Sequence, residues 1–213
     1  KKDEFFLRWF TPKVEIDLCG HATLASAHII YSEMNYKSDY IEFNIKSGDI
    51  LTVNRNDNLL TMNFPAYEPK ILEHSLDKLY NAFGVRPTLF LYCKYGLVVF
   101  KNEEEIIKIV PNFNVIEKLS YDGVIVTAPG ENVDFVSRFF APKYGMPEDP
   151  VTGGAHCELI PYWSKRLNKQ NMIAKQLSKR GGVIYCSYLG GRVTMGGEAT
   201  TYMRGELLMG NKK

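Results

Sequence analysis

The sequence of 213 residues is 45% hydrophobic, 23% charged and 13% aromatic, the proportions of a globular protein that buries a core, which excludes disordered and collagen-like chains. Lys plus Arg number 26 against 24 Asp plus Glu, a formal charge of +2 with no long block of either sign, so nothing calls for a nucleic acid or a membrane surface as partner. No apolar run approaches the roughly 20 residues of a membrane span, no signal-peptide core follows Lys1-Lys2-Asp3-Glu4, and Cys19, Cys93, Cys157 and Cys186 form no Cys-x-x-Cys pair, a pattern that suits a soluble protein of the reducing cytoplasm.

The chain opens on a strand-like run, Phe5-Phe6-Leu7-Arg8-Trp9-Phe10, with no lead-in, which reads as an N-terminal truncation. Residues 21–34 carry Leu24, Ala25, Ala27, His28 and Ile30 with no Gly or Pro, a helical pattern opened by Gly20. Turns follow at Gly48-Asp49 and at residues 54–58. Residues 75–83 read as a helix with Ser75 as N-cap and Leu76, Leu79 and Tyr80 on one face. Short strands are expected at residues 97–100 and 124–127. Residues 155–167 read as a mostly buried helix in which Pro161 fits only near the first turn. A turn at Gly190-Gly191 and a final strand at residues 204–209 complete the chain. Both long helices are apolar over more than one face and are expected to be surrounded by sheet.

The chain also repeats itself. Arg8-Trp9-Phe10 returns as Arg138-Phe139-Phe140, 130 residues on, and Gly20-His21-Ala22 returns as Gly153-Gly154-Ala155, 133 residues on. The second offset then persists: Gly48-Asp49-Ile50-Leu51 matches Gly181-Gly182-Val183-Ile184, and Leu60-Thr61-Met62 matches Val193-Thr194-Met195. Four matches in one order point to a duplicated unit. Two pseudo-symmetric halves facing each other across a cleft are expected.

Unusual chemistry gathers at the two matched helix starts, Cys19-Gly20-His21-Ala22-Thr23 and Asp149-Pro150-Val151-Thr152-Gly153-Gly154-Ala155. Small residues leave backbone N–H groups open at a helix N-terminus, where the helix dipole also favours an anion. Gly20, Ala22, Thr23, Thr152, Gly153, Gly154 and Ala155 are therefore candidate substrate-binding positions for a small carboxylate-bearing molecule. His21 lies in a first turn, where the dipole disfavours the imidazolium and leaves a neutral ring able to exchange a proton, although a capping or core histidine is the alternative. Asp149 precedes Pro150 just ahead of the second helix, and taken alone it reads as a helix cap. Cys19 is either a thiolate with lowered pKa or a small buried cysteine. His28 reads as buried and structural, His74 as solvated, and His156 as packing or as lining the site. No metal-ligand constellation and no cofactor motif is apparent.

On Leu7-Arg8-Trp9-Phe10-Thr11-Pro12, Cys19-Gly20-His21-Ala22-Thr23-Leu24-Ala25, Val124-Ile125-Val126-Thr127-Ala128-Pro129-Gly130, Glu148-Asp149-Pro150-Val151-Thr152-Gly153 and Arg180-Gly181-Gly182, the sequence resembles the phenazine-biosynthesis PhzF-like family. The similarity runs over essentially the whole chain. That family shares its fold with diaminopimelate epimerase and proline racemase. The resemblance implies an α+β fold of two halves, each a curved sheet or open barrel around a central helix, with the active-site cleft between them. Residues 1–115, truncated at the N-terminus and including a crossover segment, would form the first half and residues 116–213 the second.

For chemistry, the resemblance implies a cofactor-independent isomerase or epimerase that moves a proton between carbons of a small carboxylate-bearing substrate. The family histidine matches His21 and the family acid matches Asp149. Two departures accompany the match. Gly154 stands where the family usually has Ser, and the family's main acid/base glutamate lies in an Asn-Leu-Ser-Glu-Thr segment upstream of Lys1, so the chain as given is expected to be inactive. A Cys19-assisted racemase or epimerase and a non-catalytic anion-binding module are the alternatives. A homodimer is the expected assembly.

Overall fold

A computed structural model describes residues 4–10, 14–16, 18–72 and 76–206. The first half runs β1 (Phe5–Leu7), β2 (Trp9–Phe10), β3 (Glu15–Ile16), α1 (Gly20–Glu33), β4 (Tyr40–Ile45), β5 (Ile50–Asn56) and β6 (Leu59–Pro65). A crossover follows with β7 (Lys70–Ile71), α2 (Leu76–Phe83), β8 (Leu89–Tyr92), β9 (Gly96–Val99), α3 (Glu103–Lys108) and α4 (Phe113–Ile116). The second half contains β10 (Val124–Pro129), β11 (Phe135–Ala141), β12 (Met146–Asp149), α5 (Gly153–Leu167), β13 (Asn171–Gln176), β14 (Gly182–Tyr188) and β15 (Arg192–Gly197). No helix among the described residues is long and apolar enough to cross a membrane.

Alternation writes the strands. Ile41 and Phe43 on β4, Leu51 and Val53 on β5, and Leu60, Met62 and Phe64 on β6 are buried while their neighbours are half-buried or exposed, the period of two that one covered sheet face requires. Met172, Ala174 and Gln176 on β13 repeat the pattern in the second half. The β14–β15 hairpin turns on Gly190 and Gly191, whose φ values of 63° and 90° lie in the left-handed region that glycine tolerates.

The duplication is visible in the pairing. In the first half β1 pairs parallel with β4, which continues antiparallel through β5 to β6; in the second, β11 pairs parallel with β13, which continues antiparallel through β14 to β15. The two meanders join edge to edge where β6 pairs antiparallel with β15, and Met62 stands opposite Met195. These two methionines are the same position of the repeat, so the pseudo-twofold axis passes between them. A small antiparallel pair is duplicated too, with Trp9 opposite Ile16 and Phe139 opposite Asp149. Beside each lies a two-pronged ion pair: Arg8 Nε to Glu15 Oε1 at 2.9 Å, and Arg138 Nε to Glu148 Oε1 at 2.7 Å.

Three features refine this arrangement, and the place of Pro161 corrects an expectation. The crossover strands extend the sheet outward from β11 in the order β10, β9, β8 and β7. Leu79, Phe83, Phe100, Ile106 and Ile116 share a core with Val126 and Phe140. Pro161 lies deep inside α5, not near its first turn. It has no N–H for the carbonyl of Cys157 one turn earlier, and that carbonyl accepts from the backbone N–H of Tyr67 instead, at 2.8 Å. Finally, α5 is buried continuously from Ala155 to Pro161, whereas α1 buries the stripe Gly20, Thr23, Ala27 and Ile30 and leaves His21, Ala25 and Ile29 exposed.

Smaller differences remain. His28 is half-buried, its Nε2 3.1 Å from Thr201 Oγ1. Residues 204–206 form no strand, and 207–209 lie outside the described residues, as do Thr11, Pro12, His74 and Ser75.

Candidate active site

Both long helices begin without a side-chain cap. Cys19 and Thr152 occupy the N-cap positions in extended conformations, and neither side chain caps a backbone N–H of its helix. The carbonyls of Cys19 and Thr152 accept from the backbone N–H of Thr23 (3.0 Å) and His156 (3.3 Å), which begins the helical ladder. The N–H groups of Gly20, His21 and Ala22, and of Gly153, Gly154 and Ala155, precede that point and have no intrahelical acceptor. The two starts also abut: a Cβ added to Gly20 would stand 3.7 Å from the Gly153 Cα, and one added to Gly153 would stand 3.7 Å from the Gly20 Cα. Two positive helix ends in contact make a place for an anion.

His21 bridges the halves. Its Nδ1 lies 2.8 Å from the carbonyl oxygen of Val151, an acceptor only, so Nδ1 carries a proton and donates it. Nε2 lies 3.3 Å from Cys19 Sγ. The pKa of His21 is pushed up to about 9, first by the hydrogen bond and charge of Cys19 and then by the Val151 carbonyl and Asp149, with partial desolvation working the other way. These neighbours favour the imidazolium, opposite in direction to the neutral ring expected from the helix dipole alone.

Asp149 ends β12, and its residue is 6% exposed. Its Oδ2 accepts from Thr152 Oγ1 at 2.5 Å, and no hydrogen bond to the first turn of α5 is found among the described residues, so it does not cap the helix. Burial raises its pKa, opposed by the Thr152 hydroxyl and by the charge of His21. Gln176 fixes the loop from beneath. Its Oε1 accepts from Thr152 N (2.8 Å), while its Nε2 donates to the Asp149 carbonyl (2.7 Å) and to Thr152 Oγ1 (3.2 Å).

The remaining candidates divide by access. Gly20 and Gly153 contribute backbone, and Ala22 and Gly154 are half-buried in the first turns. Ala155 is buried and offers only its N–H. The Thr23 side chain is committed elsewhere: its hydroxyl donates to the Cys19 carbonyl (2.8 Å) and accepts from Trp9 Nε1 (3.2 Å), so it supports the helix start and is not free to hold a ligand. Thr152 is likewise engaged with Asp149. His156, the repeat partner of Thr23, donates from Nδ1 to the Thr152 carbonyl at 2.8 Å and is fully buried, which pushes its pKa down to about 4 and keeps it neutral.

A cavity of about 260 Å³ opens beside the axis, with Gly20, His21 and Gly153 along one side and the Gly181–Gly182 and Gly196–Gly197 backbones along another. Asp149, Thr152 and Gly154 are not part of its lining. No group of three or more His, Cys, Asp or Glu among the described residues is arranged to hold a metal ion. Two residues here escaped the sequence reading. Gln176 carried a signal, as the polar member of the inward set Met172, Ala174, Gln176; Tyr95, which touches Gly154 from a distant turn, carried none.

Comparison with known proteins places these features in a wider group. Residues 1–205 match the family model described as phenazine biosynthesis-like protein. An uncharacterized isomerase of Pseudomonas aeruginosa is 45% identical over 202 residues, covering 94% of this chain and 77% of its own. A crystal structure of a phenazine biosynthesis PhzF-family protein from Enterococcus faecalis superposes with a TM-score of 0.94 at 40% identity, over 98% of this chain and 80% of its own. A hydroxyproline epimerase from Agrobacterium vitis, at 8% identity and a TM-score of 0.56 over 92% of this chain and 68% of its own, shares the fold.

Proposed function

The chain belongs to the phenazine biosynthesis-like (PhzC-PhzF) family, and on that premise we propose that it is a cofactor-independent isomerase or epimerase that moves a proton between carbons of a small carboxylate-bearing substrate. The reading is carried by one observation: Asp149, held by the Thr152 hydroxyl, and His21, held by the Val151 carbonyl, flank two abutting, uncapped helix starts. The substrate carboxylate accepts from the open N–H groups of the first turns of α1 and α5. Asp149, less solvated than an ordinary carboxylate and with one oxygen held by Thr152, removes a proton from a carbon near that carboxylate. His21, as imidazolium at neutral pH, delivers a proton to the carbon that takes up the resulting negative charge. One proton leaves carbon and one returns, so no redox partner is required.

Solvent deuterium exchange tests this. The protein is incubated in D₂O with a panel of cyclic carboxylic acids, amino and unsaturated, and recovered acids are read by NMR. Deuterium on a ring carbon of one member supports proton transfer. A member that binds without acquiring deuterium points to the non-catalytic anion-binding module.

One contact favours a second reading, in which Cys19 is itself the acid or base: its Sγ lies 3.3 Å from His21 Nε2 at the start of α1. Alkylation of Cys19 that abolishes exchange, with Cys19→Ala doing the same, would favour it over Asp149.

A further inference from the structure

We propose that Tyr95 is a substrate-contacting residue of this site, its phenolic hydroxyl donating a hydrogen bond to the carboxylate held at the start of α5; the assignment rests on the anion cleft proposed above. Tyr95 comes from the turn between β8 and β9, far in sequence from both helix starts. A Cβ added to Gly154 would stand 3.4 Å from Tyr95 Oη, 3.7 Å from Cε2 and 4.0 Å from Cζ. The polar end of the ring therefore covers the face of Gly154 that has no side chain, in the turn where the uncapped N–H groups lie.

The ring is held there from two directions. Glu158 Oε1 accepts from the backbone N–H groups of Lys94 (3.1 Å) and Tyr95 (2.9 Å), which ties the turn to α5. The ring also packs edge-on against Phe139, with centroids 4.9 Å apart at 73°. Phe139 in turn fills the space over Gly123, where an added Cβ would clash with its ring. With its ring fixed this way, the hydroxyl has little freedom to turn toward another acceptor.

That hydroxyl is unused within the fold. No hydrogen bond satisfies it among the described residues, and it is not among the side-chain atoms sealed from solvent without a partner. Burial pushes the phenol above its ordinary pKa, and Tyr144, Glu158, Cys157 and Asp149 push it the same way, so at neutral pH it is a donor. An open donor beside uncapped N–H groups, within the field of Asp149, matches a carboxylate.

Benzoate, a carboxylate on a flat ring, is the probe, with isothermal titration calorimetry of the wild-type chain and of Tyr95→Phe. Phe keeps the ring contacts with Phe139 and Gly154, so an unchanged thermal midpoint is expected. Loss of a hydrogen bond to a charged group should weaken benzoate by about tenfold or more. Benzoate bound within twofold of wild type by Tyr95→Phe, but weakened by His21→Ala, would overturn the role of Tyr95 and leave the cleft standing. Wild-type protein that binds no benzoate would overturn both.

Discussion

Gly20 and Gly153 stand against each other across the pseudo-twofold axis, each placing its Cα where the other's Cβ would come within 3.7 Å. Beneath them Met62 and Met195 face each other across the β6–β15 seam, and each touches the glycine of its own half, at 3.5 Å from the added Cβ. The cleft is thus built from one motif used twice. All these contacts are ordinary van der Waals distances, so Gly20→Ala should change unfolding free energy by no more than about 1 kcal/mol. Gly196, on the seam itself, differs. Its Cβ would meet Thr61 Cγ2 at 2.8 Å and the Leu60 carbonyl oxygen at 3.1 Å, so Gly196→Ala should cost about 1–3 kcal/mol in urea denaturation. Equal costs for the two variants would mean that the seam is looser than described.

The duplicated ion pairs should differ in worth. Arg138 and Glu148 have side chains 13% and 20% exposed, and Arg138 also donates to the carbonyls of Ile106 and Ile109 at the end of α3. Arg138→Ala leaves the half-buried Glu148 carboxylate and the Ile109 carbonyl without a donor, while the Ile106 carbonyl keeps the Ile109 N–H, a loss of about 2–4 kcal/mol. Arg8 is 61% exposed, and water replaces its contacts. Arg8→Ala should leave the denaturation midpoint nearly unmoved, and comparable losses at both sites would refute this ranking.

Removing the thiol should return His21 toward ordinary behaviour. Cys19 is the first cause of its elevation to about 9. In Cys19→Ala an NMR titration of the His21 ring should show a midpoint moved down toward 6.5, with the Val151 hydrogen bond and Asp149 sustaining part of the elevation. An unmoved midpoint would assign the elevation to Asp149 and Val151 alone.

Glu158 gives the fold a dependence on pH. It is sealed from solvent and its pKa is pushed up to about 7 by burial, against the lowering effect of the Tyr95 and Lys94 N–H groups and the Lys94 charge. Between about 4.5 and 7 the unfolded chain ionises this group while the folded chain keeps it protonated. Folding is therefore progressively opposed as pH rises through that window, and the effect is constant above it. Relative to wild type, Glu158→Gln should gain roughly 2–4 kcal/mol of stability between pH 4.5 and pH 8. A difference between the two proteins that does not vary with pH would contradict this.

Much of this arrangement was legible in the sequence because it is local or repeated. The 133-residue offset located both helix starts and the meanders, since Gly20 and Gly153 open helices whose apolar spacing needs no partner to be seen. What escaped depends on contacts between distant segments. Helix α3, with Ile106 as its buried residue, and the four-residue α4 are too short to show a period, and their asparagine caps, Asn102 and Asn112, are evident only once the helices are known. Pro161 argues against an interior position in the sequence because nothing there shows that Tyr67 will take up the stranded carbonyl. The charge on His21 rests first on Cys19, two residues before it, and only in its remainder on Val151 and Asp149, 130 and 128 residues away.

The most direct test of the proposed proton transfer compares deuterium wash-in from D₂O by wild type and Asp149→Asn, using a cyclic carboxylate that the wild-type chain labels, with its affinity measured in parallel by calorimetry. Asparagine preserves the size of the side chain and can still accept from Thr152, but it cannot act as a base. If Asp149 removes the proton, labelling should fall by at least roughly 100-fold while affinity stays nearly unchanged. Labelling by Asp149→Asn at the wild-type rate would contradict Asp149 as the base and reduce it to a residue that shapes the loop before α5.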